Sequence, residues 1–527
     1  MMRSDVLVVG SGAAGLLLAL HCAEQGLAVT IATKGTIEES NTAWAQGGVA
    51  ASLDLEEDSA AAHLADTLAA GAGLCNEAAA ALVAAEAPQR IEELRGMGVA
   101  FNIAVGGALA LTREAAHSHA RTVFSGDATG RAISTTLAQK ALHHPNVRVI
   151  ERSSAVSLIV REGRCCGAWL LADEEMLAQF AGATALATGG IGQAYARTTN
   201  PAGATGDGLL LALDAGAALA DVEFVQFHPT ALAIEGAPAL LVSEAARGEG
   251  GILVNDAGER FCFAVDPRGE LAPRDVVARA IFHELARKPQ DHVWLDLRPV
   301  AAPSNVRRRF PNIAAACARF GVDIGSELIP VAPAAHYHMG GIATDLHGRT
   351  SLSGLYAVGE CACTGLHGAN RLAGNSLAEC LVMAGRAADD IAAAPHLEGR
   401  SGAANGGAGT HAKPPARIDA MSEVDRLRAC MWQGVSVERD GPSLISLARQ
   451  LDEWPRATQP VSRSVLESAA LLNVARYITD AALIREESRG AHFRVDFPQR
   501  DDQHWRARVV WTSSGHAMEP INATVAR

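Results

Sequence analysis

The sequence lacks any uninterrupted apolar run of the roughly 18–20 residues that a membrane span requires; glycines or charges break its apolar stretches. It also lacks the charged and apolar regions of a cleavable signal, because a strand-like run already begins at Asp5. Together these absences predict a cytoplasmic protein that does not engage a membrane. Positive charge is not in excess: 45 Lys and Arg stand against 58 Asp and Glu, for a net −13. That balance argues against a polyanion-binding surface and against nucleic acid as a partner, while leaving room for a local basic cleft. There are 10 cysteines but no Cys-x-x-Cys spacing. The adjacent Cys165 and Cys166, and Cys361 with Cys363, read as reduced core thiols, and no metal site is expected.

What is present is rich in small residues, with 51 glycines and 49% hydrophobic residues, a composition that lets helices pack closely on sheets. A chain of 527 residues suggests about three domains and a core large enough to enclose a big cofactor. Residues 5–10 (DVLVVG) form a short apolar run ending in glycine, the pattern of a buried parallel strand. Residues 13–25 read as a helix closed by Gly26, and 27–33 as the next strand, giving a βαβ unit. Alanine-rich helices are expected at 59–71 and 76–95, and a strand at 182–190 ending in a glycine turn. From about 222 to 335 that rhythm gives way to strands, loops and a helix at 275–287. A buried strand returns at 353–360, followed by a helix at 375–392. A nucleotide-binding fold that opens early and is completed late has therefore been interrupted by an insertion. Residues 395–416, rich in Gly, Ala and Pro, read as a linker; beyond them 418–432, 442–453 and 461–486 read as amphipathic helices.

Gly10-x-Gly12-x-x-Gly15 between that first strand and helix is a dinucleotide fingerprint. Its glycines make the turn, admit a pyrophosphate and let the helix approach the strand, while the helix N-terminus meets the phosphate charge. The acid expected at the end of the second strand is missing, since Thr33 and Lys34 stand there. That absence weakens an NAD reading.

Other segments decide the nucleotide. SNTAWAQGG (40–48), ATGG (187–190), TGDG (205–208) and YAVGE (356–360) resemble flavin-binding elements of the succinate dehydrogenase/fumarate reductase flavoprotein family. QFHPT (226–230), RGEGG (247–251), APRDVVARAI (272–281), HYHMGG (336–341), HGANRLAGNSL (367–377) and REESRG (485–490) extend the resemblance collinearly over nearly the whole chain. It implies an α/β fold: a discontinuous Rossmann-like FAD-binding domain (1–221 and 338–394) with an inserted α+β capping domain (222–337). The linker and a C-terminal helical domain or bundle (417–527) follow.

Within the family the likeness is to the branch that oxidises L-aspartate. Asn41 stands where respiratory members carry the histidine that bonds FAD, so FAD should be non-covalent. TREAAHSHAR (112–121) resembles that branch's segment, which implies that Glu114 faces the substrate's α-ammonium. One departure is that Ala115 and Ala116 replace the two glycines usual there. The resemblance implies that His228, Arg274, His336 and Arg371, with Ser243 as a hydroxyl donor, hold the two carboxylates. Arg274 is the group implied for proton transfer. Flavin contacts carried over by motif are Gly10, Ser11, Gly12, Ala13, Ala14 and Gly15 in the first turn, and Lys34, Asn41, Thr42, Gly47 and Gly48 in the second loop. Asp207, Glu360, Asn375, Ser376 and Leu377 complete them.

The implied reaction is hydride transfer from C2 of L-aspartate to flavin, giving iminoaspartate, with O2 (forming hydrogen peroxide) or fumarate as acceptor. In the family this step opens de novo NAD biosynthesis, with quinolinate synthase as consumer of the imine. Two alternatives stay open: a soluble fumarate reductase or succinate-oxidising subunit, and a flavin-binding protein without turnover. REESRG is expected to dock the helical domain on the others.

Overall fold

The structure is a computed structural model that describes residues 2–287, 291–394, 421–454 and 462–522. Its first strand, β1 (Met2–Val9), is buried over Val6–Val9 and runs parallel to β2 (Val29–Ala32) on one side. On the other side it pairs in parallel with Glu175–Leu186. Helix α1 (Ala13–Glu24) crosses between β1 and β2. Almost every residue of α1 is buried because it is small or aliphatic and lies against both this sheet and helix Asn375–Ala393.

The sheet has seven strands: 147–150, β2, β1, 175–186, 164–172 and 153–161 in spatial order, with Leu355–Ala357 beside 175–186. That last strand pairs in parallel, Leu355 opposite Thr184 and Ala357 opposite Leu186. A strand from late in the chain thus completes a sheet begun by the first residues, as expected for an interrupted domain.

The interruption holds its own antiparallel sheet, ordered Val225–Leu232, Ile329–His338, Val293–Asp296 and Ile252–Val254. Helix Arg274–Arg287 packs on it through Val277, Ala278, Ala280 and Ile281. Beyond residue 420 come helices Met421–Val435, Gly441–Asp452 and Arg463–Ile484. The expected linker at 395–416 lies outside the described residues.

Residues 507–520 are not helical. Ala507–Thr512 and Gly515–Pro520 form a hairpin, and its first strand pairs antiparallel with Leu219–Ala220. Helical periodicity gives no warning of this, although the Val–Val–Trp core of ARVVWT has the β-branched and aromatic composition of a strand. The C-terminal region therefore shares a five-stranded sheet with 219–220, 341–343 and 362–363. Those strands flank the entry to and exit from the inserted sheet.

Candidate active site

Where β1 meets α1 the backbone turns at Gly10, φ +112°. A Cβ there would fall 2.1 Å from Ala187 O, and one on Gly15 would fall 2.3 Å from Gly10 O. Both glycines are therefore packing requirements of the turn itself. Gly12 caps α1 without a side-chain hydrogen bond, although Thr42 Oγ1 accepts Ala13 N at 3.1 Å. The open helix N-terminus faces a cavity of about 530 Å³ that runs past Ser40–Gly48, Ala187–Gly190 and Pro201–Ala204 to the inserted sheet and helix Asn375–Ala393. That second helix also begins without a side-chain cap, after Gly374 at φ +76°. The cavity thus receives two helix N-termini, each favouring negative charge.

Of the residues expected at a flavin, Gly10, Ser11, Gly12, Ala13, Ala14, Lys34, Asn41, Thr42, Gly47, Gly48, Glu360, Ser376 and Leu377 line this cavity. Three do not. Gly15 packs behind the turn. Asp207 begins helix Asp207–Asp214 and accepts Lys34 Nζ at 2.5 Å, so its charge is spent on that lysine. Asn375 turns its side chain away, donating to Thr67 Oγ1 at 2.9 Å and meeting His63 Nε2 at 2.7 Å. Glu360 accepts Asn41 Nδ2 at 3.0 Å and His338 N at 3.1 Å, and burial pushes its carboxyl up to about 7.

Glu114, His228, Ser243, Arg274, His336 and Arg371 all line the cavity where it meets the inserted domain. The guanidiniums of Arg274 and Arg371 share one acceptor, Gln226 Oε1, at 3.0 and 3.2 Å. Gln226 is fixed in that orientation because its Nε2 donates to Asn370 Oδ1 and Arg371 O. Arg371 also lies over the Tyr337 ring, 4.6 Å from its centroid. Burial, then Arg274, lower it to about 10. Arg274 donates Nε to Glu244 Oε2 at 2.5 Å, and Glu244 also faces Arg247 at 3.4 Å. Burial alone would raise Glu244, but the two guanidiniums overcome it and hold its pKa down.

The two histidines meet edge-on, ring centroids 5.1 Å apart. Burial first, then the nearby arginines, hold both well below their ordinary range, so both are neutral. His228 Nδ1 accepts Thr230 N at 3.2 Å, which leaves the proton on Nε2. That buried N–H has no partner among the described residues. His336 Nδ1 shares a 2.8 Å hydrogen bond with Thr199 Oγ1. Ser243 is the N-cap of Glu244–Gly248, its Oγ accepting Ala245 N.

Glu114 is the exception to this cationic ring. It is 4% exposed and lies beside Gly47, where an added Cβ would come within 3.3 Å of its Oε1. Burial and then the charge of Glu244 push it up to about 7, against the pull of Arg274 and Arg371. The site thus offers cations and neutral donors for carboxylates and, apart from Glu244, which Arg274 and Arg247 already engage, the carboxylate of Glu114 for a cation.

The residues fit a dinucleotide flavin. The glycine turn has no side chain to obstruct a pyrophosphate, and His228 and Gln46, each with a buried polar atom unpartnered among the described residues, line the cavity. Gln226, Glu244, Arg247 and Thr199 are members of the site that motif reading passed over, although Gln226 and Arg247 stand inside quoted strings. Among the described residues no cluster of His, Cys, Asp and Glu could hold a metal ion, and no helix is long and apolar enough to cross a membrane.

Residues 5–377 match the family described as FAD binding domain, and 424–525 match the C-terminal family of fumarate reductase flavoproteins. An L-aspartate oxidase from Nostoc sp. is 46% identical, over 94% of this chain and 91% of its own. One from Streptomyces coelicolor is 43% identical over 97% and 91%. The chain belongs to the L-aspartate oxidase branch of the succinate dehydrogenase/fumarate reductase flavoproteins. Its cofactor is FAD. Among solved structures, E. coli quinol fumarate reductase FrdA superposes with a TM-score of 0.89 at 31% identity, covering 100% of this chain and 98% of that one. Mycobacterium smegmatis Sdh1 does so with 0.84 at 31%, covering 100% and 96%. The fold is thus shared with a fumarate reductase as well as with the L-aspartate oxidases.

Proposed function

We propose that this chain oxidises L-aspartate to iminoaspartate, using O2 (giving hydrogen peroxide) or fumarate as electron acceptor. The observation that carries the reading is Glu114, a buried carboxylate in no ion pair among the described residues, whereas its neighbour Glu244 is held by Arg274 and Arg247. Succinate offers it nothing to bind, whereas the α-ammonium of aspartate supplies the missing cation. The relatives named L-aspartate oxidase, aligned over almost their whole length, support the same substrate.

In this reading Arg371 and Arg274 hold one substrate carboxylate between them, and His228 Nε2–H, His336 and Ser243 serve the other. Donors of both kinds are fixed before substrate arrives, so C2 is oriented without further ordering. Bound FAD would supply the acceptor for the hydride leaving C2 and the route for its two electrons to O2 or fumarate. Gly10–Ala14 would hold its pyrophosphate, Glu360 its ribityl hydroxyls, and the N-terminus of the helix at 375 its ring. Asn41 offers a carboxamide, which forms no bond to a flavin, so attachment is non-covalent.

The imine forms only from a neutral amine, so the ammonium must lose a proton. Glu114, near 7, takes it; an arginine, with a pKa above about 12, is a poor base near neutrality. Arg274 serves the reverse need, giving a proton to fumarate and recovering one through Glu244. The free imine hydrolyses readily, so its consumer, quinolinate synthase at the opening of NAD biosynthesis, must act promptly in the same compartment, the cytoplasm.

Glu114→Gln tests the reading. It removes a charge-assisted hydrogen bond of about 1.5–3 kcal/mol and the proton acceptor, so the aspartate KM is expected to rise about tenfold to a hundredfold relative to the fumarate KM and the aspartate kcat to fall. Equal loss toward both ligands contradicts it and favours the plain-dicarboxylate alternative.

A further inference from the structure

The loop that carries Glu114 is held from behind by a network that does not reach the cavity. Between Glu114 and Arg121 the chain reverses, and Glu114 O accepts His117 N at 3.3 Å. Ala116 sits at φ +64°, a conformation that alanine keeps only where its surroundings impose it. His117 is buried and spans the gap from this loop to the cavity floor. Its Nδ1 faces the Arg121 guanidinium at 3.1 Å and can only accept, so the proton lies on Nε2, which donates to Ala373 O at 2.9 Å. Ala373 immediately precedes Gly374, which lines the cavity ahead of the helix at 375.

Arg121, wholly buried, is itself saturated. It donates Nε and Nη2 to Asp58 at 2.9 and 2.8 Å, and Nη1 to Asp66 at 2.5 Å. Asp66 returns to the loop, accepting Ser118 N and Oγ at 2.8 and 2.7 Å. Arg121 O accepts Ala51 N at 3.0 Å, which ties the same residue to the strand after Gly48. Burial pushes the His117 imidazole down to about 4, so its donor and acceptor stay as they are across the neutral range. A loop needing only stability would be served by apolar packing. Here a buried ionic network fixes the His117 imidazole together with Ser118 and Ala51, and only the imidazole links the Glu114 turn to Ala373, next to the cavity-lining Gly374.

We propose that His117, braced by Arg121 with Asp58 and Asp66, is a positioning residue that sets where the Glu114 carboxylate stands above the cavity floor. It thereby sets the preference for an amino dicarboxylate over a plain one. The proposal rests on the ammonium-reading role of Glu114 given above.

The test uses FAD-loaded full-length protein and the ratio of kcat/KM for L-aspartate to that for fumarate. His117→Ala lowers this ratio about tenfold to a hundredfold, the cost of misplacing one group by about 1 Å, chiefly through the aspartate KM. His117→Gln, which keeps a donor for Ala373 O, restores most of it. The Glu114→Gln/His117→Ala double variant has the same ratio as Glu114→Gln alone, because the brace has nothing left to position. Equal loss toward both ligands in His117→Ala, or effects that multiply in the double variant, overturns the proposal. If His117→Ala does not accumulate as folded protein, Asp66→Asn is read instead; a smaller shift in the same direction supports the brace and an unchanged ratio overturns it. A ratio unmoved by Glu114→Gln itself would instead remove the reading of Glu114. A ratio moved by Glu114→Gln but not by His117→Ala removes the brace alone.

Discussion

At the scale of single residues, burial is the largest influence on the charge state of His228, His336 and Glu114. His228 and His336 stay neutral under the arginines, so their N–H groups donate without adding positive charge. Glu114 is poised near 7, which gives a pH dependence of known sign. In the role proposed for it, Glu114 would hold the ammonium when ionised, above about 7; below, protonation removes that charge. The aspartate kcat/KM is therefore expected to fall as pH drops through 7, with no matching limb for fumarate binding and none for aspartate in Glu114→Gln. An acid limb shared by both ligands would contradict this.

The residues whose place in the cavity was legible from sequence were those marked by their type and their string: Arg274, Arg371, His228, His336, Glu114, Gly10 and Gly12. Asp207 and Asn375 were read toward the flavin by motif, but partners distant in sequence decide where they point. Lys34 claims the first, and His63 and Thr67 claim the second. Gln226 was illegible as a site member because nothing local marks an amide that will serve two guanidiniums.

At the scale of elements, periodicity and glycine placement located β1, α1 and the helix at 375 closely. The first turn was readable because only glycine tolerates the contacts seen at Gly10 and Gly15. The consequence of Ala115–Ala116 was not readable, since φ is invisible in a sequence. The structure shows Ala115 buried and Ala116 exposed at φ +64°. The left-handed region costs an L-residue about 1–2 kcal/mol, and glycine escapes most of that. Ala116→Gly is expected to stabilise the protein by about 1 kcal/mol, seen as a higher midpoint of thermal unfolding. A lower midpoint would mean that the alanine methyl contributes packing that outweighs its strain.

At the scale of the whole molecule, the inserted domain is gripped where it enters. Glu223, three residues past the strand Leu219–Ala220, is buried and paired with Arg485 at 2.7 Å. Arg439 donates to its backbone carbonyl at 2.8 Å, and Arg508 pairs with Asp221 at 2.8 Å. REESRG was expected to dock the helical region, and Arg485, Glu487 and Arg489 form such a buried network. The hairpin that carries Arg508 was missed because strand pairing with residues 219–220 is a contact across some 290 positions. Leaving Glu223 buried without its partner costs about 3–5 kcal/mol. Arg485→Met should therefore lower the unfolding midpoint sharply, and an unchanged midpoint would show that the pair contributes little net.

The far side of the inserted domain rests on Asp127, which accepts Asn312 N, Asn312 Nδ2 and Ile313 N. The cavity is thus enclosed by parts of the chain far apart in sequence, and its selectivity belongs to the assembled whole. Anaerobic mixing of the yellow holoprotein with L-aspartate or with succinate tests that selectivity most directly. The account predicts prompt bleaching by aspartate alone, with FAD released into the supernatant on acid precipitation. Bleaching by succinate alone, or flavin that stays with the pellet, would contradict it.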